Sequence, residues 1–189
     1  MKQAHHCLFS TTIGTCGIAW QESTEPTAPL AIIAFQLPEA TAERAETRMA
    51  QSCGPDTASK PPEPIAAVID RVCKHLAGEL QDFRDIPVSL EGAAPFVRRV
   101  CQTVREVPAG RTTTYAELAI ALGHSSLARA VGRALGNNPI PLIIPCHRVL
   151  AAHGKPGGFS AFGGRATKAK LLAIEGATVN LCLEFTAGA

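Results

Sequence analysis

Short runs of apolar residues alternate with polar segments at the start of the chain. Three runs rich in β-forming residues, Cys7–Phe9, Ile13–Trp20 and Leu30–Phe35, are separated by polar or proline-containing stretches and predict a small antiparallel sheet. Glu39–Met49 then holds good helix formers with acidic residues early, and Ile65–Ala77 carries apolar residues at the spacing of one buried stripe. The pattern predicts a sheet followed by two helices.

The pattern becomes mainly helical after a Gly-Ala-Ala-Pro turn at residues 92–95. Apolar spacing and turn residues predict helices over Phe96–Arg105, Tyr115–Leu122, Ser126–Leu135 and Ala166–Glu175. The second and third of these are joined by a glycine turn, which is the outline of a helix-turn-helix, although helical hairpins that bind no DNA share it. We predict an α+β fold with an N-terminal domain over residues 1–92 and a C-terminal domain over residues 93–189.

Charge differs between the two halves of the chain. Residues 1–90 hold 7 Lys and Arg against 11 Asp and Glu, a net of −4, whereas residues 91–189 hold 11 against 5, a net of +6. The positive charge of the C-terminal half indicates a surface that binds a polyanion. An ordinary solvated surface could carry the same net charge.

Cysteine usage and apolar content indicate the compartment. The seven cysteines are odd in number and scattered, which favours reduced thiols in the cytoplasm over a disulfide framework. No apolar stretch has the length of a signal peptide core or a membrane span, so neither a leader nor a membrane association is expected.

The most informative stretch for chemistry is Pro139–Pro145, an apolar run interpreted as a strand that delivers Cys146 next to His147 and Arg148. The apolar residues bury the approach to the thiol, and the two following residues supply polarity and positive charge where a thiol would ionise. The plain alternative is that Cys146 is a small buried hydrophobic residue. The sequence of the motif favours a nucleophile.

Two further features point to a site near this thiol. The loop at residues 151–164 holds five glycines and a proline, as suits a wall that closely approaches a ligand. Glu175 ends a predicted helix, where a carboxylate meets the negative end of the helix dipole. Either Glu175 has a functional partner or it is a solvated glutamate.

The residues of the C-terminal half resemble those of the O6-alkylguanine-DNA alkyltransferases, also called methylated-DNA–protein-cysteine methyltransferases. The resemblance is close over residues 95–177, whereas residues 1–92 resemble only in outline the small ribonuclease-H-like domain of this family. It rests on a set of short strings: Thr114-Tyr115, Arg129-Ala130-Val131-Gly132, Asn138 to Val149, Lys168, Leu171-Leu172 and Glu175-Gly176.

The resemblance implies DNA repair by direct reversal of damage. The family transfers an alkyl group irreversibly from O6 of guanine, and more weakly from O4 of thymine, to its own cysteine, so each molecule acts once. Cys146 is then the acceptor, His147 relays the proton and Glu175 orients that histidine. Neighbouring residues point apart, so we expect His147 to reach the thiol through a water and to lower its effective pKa.

The resemblance also assigns residues to DNA and to the base. Arg129 matches an arginine finger that fills the gap left by a flipped nucleotide, and Thr114 and Tyr115 lie where the family contacts DNA. Tyr115 is further expected to donate a hydrogen bond to the leaving guanine. The remaining pocket residues implied are Asn138, Pro141, Val149, Phe159 and Ser160.

Two departures from the family pattern stand out. Phe159 replaces a usual tyrosine, and Ala161 and Phe162 are about two extra residues in the loop, so preference for alkyl size is open. We expect no metal, because His5, His6 and Cys7 are contiguous and lack the spaced pairs of a structural zinc site. No cofactor and no obligate protein partner are expected. We expect a monomer that binds duplex DNA containing O6-alkylguanine.

Two other functions stay open on the sequence. A damage sensor of this family would lack the cysteine, which is present here. A cysteine hydrolase built on Cys146 and His147 would need an oxyanion hole and would turn over.

Overall fold

The computed structural model describes residues 3–23, 28–54 and 57–177. It is a mixed α/β fold that begins with a three-stranded antiparallel sheet in the order β1-β2-β3. The strands are β1 (Ala4–Thr11), β2 (Gly14–Glu22) and β3 (Leu30–Gln36). The predicted antiparallel sheet is confirmed, with longer strands than the apolar runs alone indicate, because polar residues continue the ladder at both ends of β1.

Helix α1 (Ala42–Cys53) packs closely on this sheet. A Cβ atom added at Gly17 of β2 would lie 2.7 Å from Cγ of Met49, so any larger residue here would have to displace the buried Met49 side chain where the helix approaches the strand. The predicted start of the helix at Glu39 is three residues early, because the Thr41 side chain accepts the backbone N–H of Arg44 and caps the helix there.

Helix α2 (Glu63–Leu76) has a proline in its first turn and buries one apolar stripe. The buried positions are Ile65, Val68, Val72, His75 and Leu76. The helix thus follows the predicted stripe, with a histidine added to it. Part of the loop predicted before this helix, residues 55–56, lies outside the described residues.

The second half of the chain consists mainly of helices and turns. The regular elements are α3 (Pro95–Arg105), β4 (Thr113–Thr114), α4 (Tyr115–Ala121), α5 (Ala128–Gly136), β5 (Val149–Leu150) and α6 (Arg165–Ile174). Short 3₁₀ helices occur at Ser125–Leu127, Cys146–Arg148 and Ala152–Gly154. The final stretch of the predicted C-terminal domain, residues 178–189 with Cys182, lies outside the described residues.

The predicted strand that leads to Cys146 is wrong. The segment before it forms turns closed by an isolated bridge between Pro141 and Ile144, and Leu142 has a φ of 74°. Cys146 itself begins a 3₁₀ helix. Prolines at 139, 141 and 145 remove the backbone donors that a strand needs, so the apolar residues are buried without forming a ladder.

One hydrophobic core cluster contains residues from both halves of the chain. It includes Trp20 and Phe35 from the sheet, Val72 from α2, and Val100 and Leu118 from α3 and α4. Backbone bonds add to this contact, since the N–H of Phe35 donates to the carbonyl of Pro139 at 2.9 Å. The sheet and α2 therefore support the loop that carries the cysteine. None of the helices in the described ranges is both long and apolar enough to cross a bilayer.

Candidate active site

Cys146 lies in the wall of a cavity of about 450 Å³. Its side chain is almost completely buried, with a residue exposure of 6%. The other lining residues come from α4, α5 and the glycine-rich loop: Tyr115, Gly132, Leu135, Gly136, Gly158, Phe159 and Ser160. The structure thus brings three sequence-predicted residues, Tyr115, Phe159 and Ser160, to the thiol.

The surroundings of Cys146 disfavour its thiolate form. Burial raises the pKa of Cys146, while the Asn138 amide, the charge of Lys168 and nearby backbone N–H groups act in the opposite direction without cancelling the effect. The lowered thiol pKa expected from the sequence is therefore not found. A buried thiol of this kind needs a nearby group to take its proton before it can act as a nucleophile.

One ring nitrogen of the fully buried His147 is hydrogen-bonded, and the other has no protein partner among the described residues. Its Nε2 lies 2.9 Å from Oε1 of Glu175, and since a carboxylate only accepts, Nε2 carries the proton. Its Nδ1 is buried and bonds to no protein atom in the described ranges. Burial lowers the pKa of His147, the hydrogen bond and charge of Glu175 raise it, and the net direction is down. Neutral His147 therefore presents a proton-accepting Nδ1.

Glu175 collects donors from three parts of the chain. Oε1 accepts from His147 at 2.9 Å and from His75 at 3.0 Å, while Arg148 donates to both oxygens at 2.7 Å to 3.2 Å. The backbone N–H of Gly110 lies 3.4 Å from Oε2. Burial alone would raise the pKa of Glu175, but these hydrogen bonds and charges outweigh it and hold the pKa far below its usual range.

These partners explain the position of Glu175 at the end of α6. It caps the helix in αR conformation and is 3% exposed, so it is not a solvated glutamate. The unfavourable end of the helix dipole costs about 0.3 to 1 kcal/mol, whereas leaving Arg148 buried without its carboxylate partner would cost about 3 to 5 kcal/mol. The functional partner suspected from the sequence exists.

Asn138 holds the turn that precedes the cysteine. Its Nδ2 donates to the carbonyl of Ile144 at 2.9 Å and its Oδ1 accepts the N–H of Ile140 at 3.0 Å. Because Asn138 lies two residues after the end of α5, this pair of bonds ties that helix to the cysteine segment. Pro141 lines a neighbouring cavity of about 370 Å³ together with Asn138, Phe159 and Ser160, and Val149 is fully buried.

Lys168 links α6 to the cavity. The side chain is fully buried, its Nζ donates to the carbonyl of Val149 at 2.5 Å, and Nζ lies 5.9 Å from the ring centre of Tyr115. Burial lowers the pKa of Lys168 to about 8. The sequence resemblance named Lys168 without a role, and the structure shows it among the residues of the site.

Thr114 and Tyr115 begin α4. Thr114 accepts the N–H of Glu117 at 3.1 Å, and the Glu117 carboxylate accepts the N–H of Thr114 at 2.7 Å, so this N-cap is a full capping box. The Tyr115 ring lies against glycines: Cβ atoms added at Gly132 and Gly157 would be 3.8 Å and 3.4 Å from it. The ring therefore lies close to the backbone of both glycines, beside the thiol cavity.

Arg129 is separate from this cluster. It is exposed near the start of α5, while Val131, Ala134 and Leu135 of the same helix are buried. Within the described ranges its guanidinium forms no ion pair. A free arginine on an exposed helix face is available to an external polyanion.

Sequence reasoning missed His75 and the pairing of Arg148. His75 belongs to the N-terminal half, 100 residues from Glu175, so no local motif connects them. The only available signal was a histidine at helical spacing on the apolar stripe of α2. Arg148 was noted only as a positive charge near the thiol, because the sequence does not reveal which carboxylate it meets.

No group of three or more His, Cys, Asp and Glu side chains suited to a metal is present among residues 3–23, 28–54 and 57–177. His6, one of the potential ligands in the sequence, instead bonds Thr57 at 2.8 Å and Glu46 at 2.7 Å. All six cysteines in these ranges are free.

A cavity thiol backed by a buried histidine and glutamate places the molecule among proteins with a cysteine nucleophile. Residues 95–177 match the family described as 6-O-methylguanine DNA methyltransferase, DNA binding domain. Over 114 residues the chain is 42% identical to a methylated-DNA–protein-cysteine methyltransferase of Mycolicibacterium paratuberculosis, covering 60% of this chain and 67% of that protein. The chain belongs to the methylated-DNA–protein-cysteine methyltransferase family.

Solved structures agree with this assignment over nearly the whole chain. The O6-methylguanine methyltransferase of Mycobacterium tuberculosis superposes with a TM-score of 0.70 at 32% identity, covering 92% of this chain and 93% of that one. OGT of the same organism in complex with DNA gives a TM-score of 0.69 at 30% identity, covering 91% and 92%. The similarity therefore extends into the N-terminal half, where the sequence resemblance was only an outline.

Proposed function

We propose that this chain repairs DNA by transferring a methyl or larger alkyl group irreversibly from O6 of guanine, and more weakly from O4 of thymine, to Cys146. The observation that carries the proposal is a buried thiol in a cavity wall, followed in the chain by a buried histidine whose Nδ1 bonds to no protein atom among the described residues. The C-terminal match and the methyltransferase relatives support the same reaction. Each molecule acts once, because the thioether formed is stable.

The proposed reaction is an in-line displacement. The thiol proton passes through a bridging water to Nδ1 of His147, and Glu175 stabilises the imidazolium through Nε2–H. Sγ then forms a bond to the alkyl carbon while the carbon–O6 bond breaks, and its electron pair passes to the guanine. Tyr115 stabilises that charge with a hydrogen bond, and the guanine finally takes up a proton. No cofactor is needed, because the substrate carries the alkyl group.

The pocket residues would hold the base rather than react with it. Phe159 offers a ring beside the thiol and Ser160 offers its backbone N–H, and both line the two cavities, whereas Asn138 and Pro141 shape the wall of the neighbouring cavity. The carbonyls of Cys146 and Val149 would accept the exocyclic amine of guanine. In this arrangement the pocket selects a flipped purine by shape and by backbone hydrogen bonds.

We further propose that α4 and α5 form a helix-turn-helix that binds duplex DNA through its minor groove. A stacked base cannot reach a buried thiol, so the target must be flipped out at a cost of about a few kcal/mol. Exposed Arg129 would fill the gap it leaves, Thr114 and Tyr115 would contact the flipped nucleotide, and the net charge of +6 in residues 91–189 supports phosphate binding.

The two domains, the oligomeric state and the cellular compartment are part of the same proposal. Residues 1–92 form a ribonuclease-H-like domain and residues 93–189 the DNA-binding and alkyl-acceptor domain. The protein acts as a monomer on DNA in the cytoplasm, where the free state of the described cysteines is maintained.

The deciding experiment is the intact mass of the protein after incubation with duplex DNA that contains O6-methylguanine. We expect a gain of one methyl group per molecule, mapped by peptide analysis to Cys146, with guanine restored in the DNA. Binding without any mass change would identify a damage sensor. Repeated turnover with release of a product would identify a hydrolase.

A further inference from the structure

His75 is the contribution of the N-terminal half to the reactive cluster. It lies in the last turn of α2 and is fully buried, with Nε2 3.0 Å from Oε1 of Glu175. Its Nδ1 accepts the backbone N–H of Gln81 at 3.1 Å, and its ring packs against Phe83 at 5.0 Å between centres. The imidazole is therefore held on three sides.

The bond from Gln81 fixes the tautomer of His75. A backbone N–H can only donate, so Nδ1 of His75 carries no proton while this bond exists. The ring proton is then on Nε2, which donates to the Glu175 carboxylate. The arrangement gives His75 one defined role toward Glu175, that of a donor.

His75 and His147 donate to the same oxygen. Oε1 of Glu175 lies 3.0 Å from Nε2 of His75 and 2.9 Å from Nε2 of His147. Arg148 already fixes the orientation of the carboxylate by contacting both oxygens. The second imidazole therefore adds little to orientation, but it takes part of the hydrogen-bonding capacity that would otherwise face His147.

We propose that His75 is a positioning residue for alkyl transfer, which shares Oε1 of Glu175 with His147 and so keeps His147 neutral, with Nδ1 free to take the thiol proton. The inference rests on the proposed function. Without this competition, Glu175 would bind an imidazolium at His147 more strongly, and a histidine already protonated cannot accept a proton from Cys146.

The charges around His147 are consistent with this role. Burial and the charge of Arg148 on the same 3₁₀ helix lower the pKa of His147, whereas Glu175 at the end of α6 favours the imidazolium. Outside this cluster, the charge of Arg148 also acts on Asp82, and the charge of Lys168 acts on the Cys146 thiol. His75, a neutral donor in this tautomer, is the partner of Glu175 whose removal changes no formal charge in the cluster.

Two amide variants distinguish the hydrogen bond that His75 donates to Glu175 from the packing of its ring against Phe83. In His75→Asn the amide oxygen stands near the position of Nδ1 and still accepts the N–H of Gln81, but the side chain is too short to reach Glu175. In His75→Gln the amide nitrogen reaches the position of Nε2 and keeps the donor. Phe83→Leu is the matched control, since it reduces packing on the ring without touching the hydrogen bonds.

The experiment is an NMR titration of ¹⁵N-histidine-labelled full-length protein, together with the pH dependence of the single-turnover methyl-transfer rate. In His75→Asn we expect the titration midpoint of His147 and the acidic limb of the rate profile to move up by about one pH unit. His75→Gln should restore both to near wild type. Phe83→Leu should lower the unfolding temperature without moving either.

A folded His75→Asn variant whose His147 titrates like wild type would overturn the inference and leave His75 as a packing residue. The wild type provides a test that needs no variant, because ¹⁵N shifts that place the His75 proton on Nδ1 would overturn it equally. The titration is independent of catalysis. Absence of methyl transfer in the wild type would therefore contradict the proposed function while leaving the competition for Glu175 measurable.

Discussion

Arg148 and Glu175 form a buried bidentate ion pair directly behind the cysteine, with Nη2 2.7 Å from Oε1 and Nε 3.0 Å from Oε2. Arg148 also donates to the carbonyl of Val107 at 2.6 Å, so the pair joins the end of α3 to the end of α6. Both side chains are almost completely buried. Removal of one partner would leave the other charge buried without compensation.

This pair predicts an acid-sensitive contribution to stability. The pKa of Glu175 is lowered in the folded protein, so its ionised form stabilises the fold above the ordinary carboxyl pKa of about 4.3, and this contribution is lost as the pH falls toward the folded value. Glu175→Gln should cost about 3 to 5 kcal/mol of unfolding free energy near neutral pH. Urea titrations of both proteins should show that this difference shrinks at low pH. A constant difference would contradict the prediction.

Cys146→Ser tests the acceptor. The hydroxyl is a far weaker nucleophile near neutral pH, while the surface that meets DNA is unchanged, so transfer should be abolished and DNA affinity retained. Intact mass measures methyl transfer, and fluorescence anisotropy with a methylated duplex measures DNA affinity. Continued methylation of the serine variant at the wild-type rate would end the proposed mechanism.

Glu175→Gln tests the relay through rate rather than stability. A neutral amide supports the imidazolium of His147 less well, so single-turnover transfer should slow without being lost, because the thiol is still present. Rates measured from about pH 6 to about pH 9 should show a changed profile. Superimposable profiles for the variant and the wild type would show that Glu175 does not assist the proton transfer.

Arg129→Ala tests the flipped nucleotide. Only duplex DNA needs a side chain in the gap left by the base, so repair of duplex should suffer more than reaction with free O6-methylguanine. Arg133→Ala on the same helix is the matched control for a loss of one positive charge. Affinity of the wild type for duplex should fall steeply with salt and vary little with sequence. An equal loss on both substrates would remove Arg129 from this role.

Phe159 and Tyr115 can be compared in one assay. Phe159→Tyr adds a hydroxyl to a ring already in the cavity and should change the methyl-transfer rate by less than about tenfold, or about 1.4 kcal/mol. Tyr115→Phe removes the donor proposed for the leaving guanine and should cost more. Single-turnover rates on one methylated duplex give both numbers. A hundredfold gain in Phe159→Tyr would favour the damage-sensor function.

Secondary-structure elements could be predicted from the sequence where a short run of neighbouring residues determines them. Alternating apolar runs predicted the antiparallel sheet, and apolar spacing with turn residues predicted the helix that begins at Tyr115. The run before Cys146 was misassigned because its apolar residues satisfy a strand pattern, whereas its prolines prevent a ladder. Helix α1 begins three residues later than predicted, because the Thr41 side chain caps its first turn.

The sequence by itself determined the cysteine motif, the glycine-rich loop and the basic half, because each is a property of neighbouring residues or of composition. Only the tertiary structure decided that His75, Arg148 and His147 meet on Glu175, since hydrogen bonds between residues up to 100 positions apart leave no local trace. It also decided the state of the thiol. Burial raises the pKa of Cys146, and burial is set by how α4, α5 and the loop pack around it.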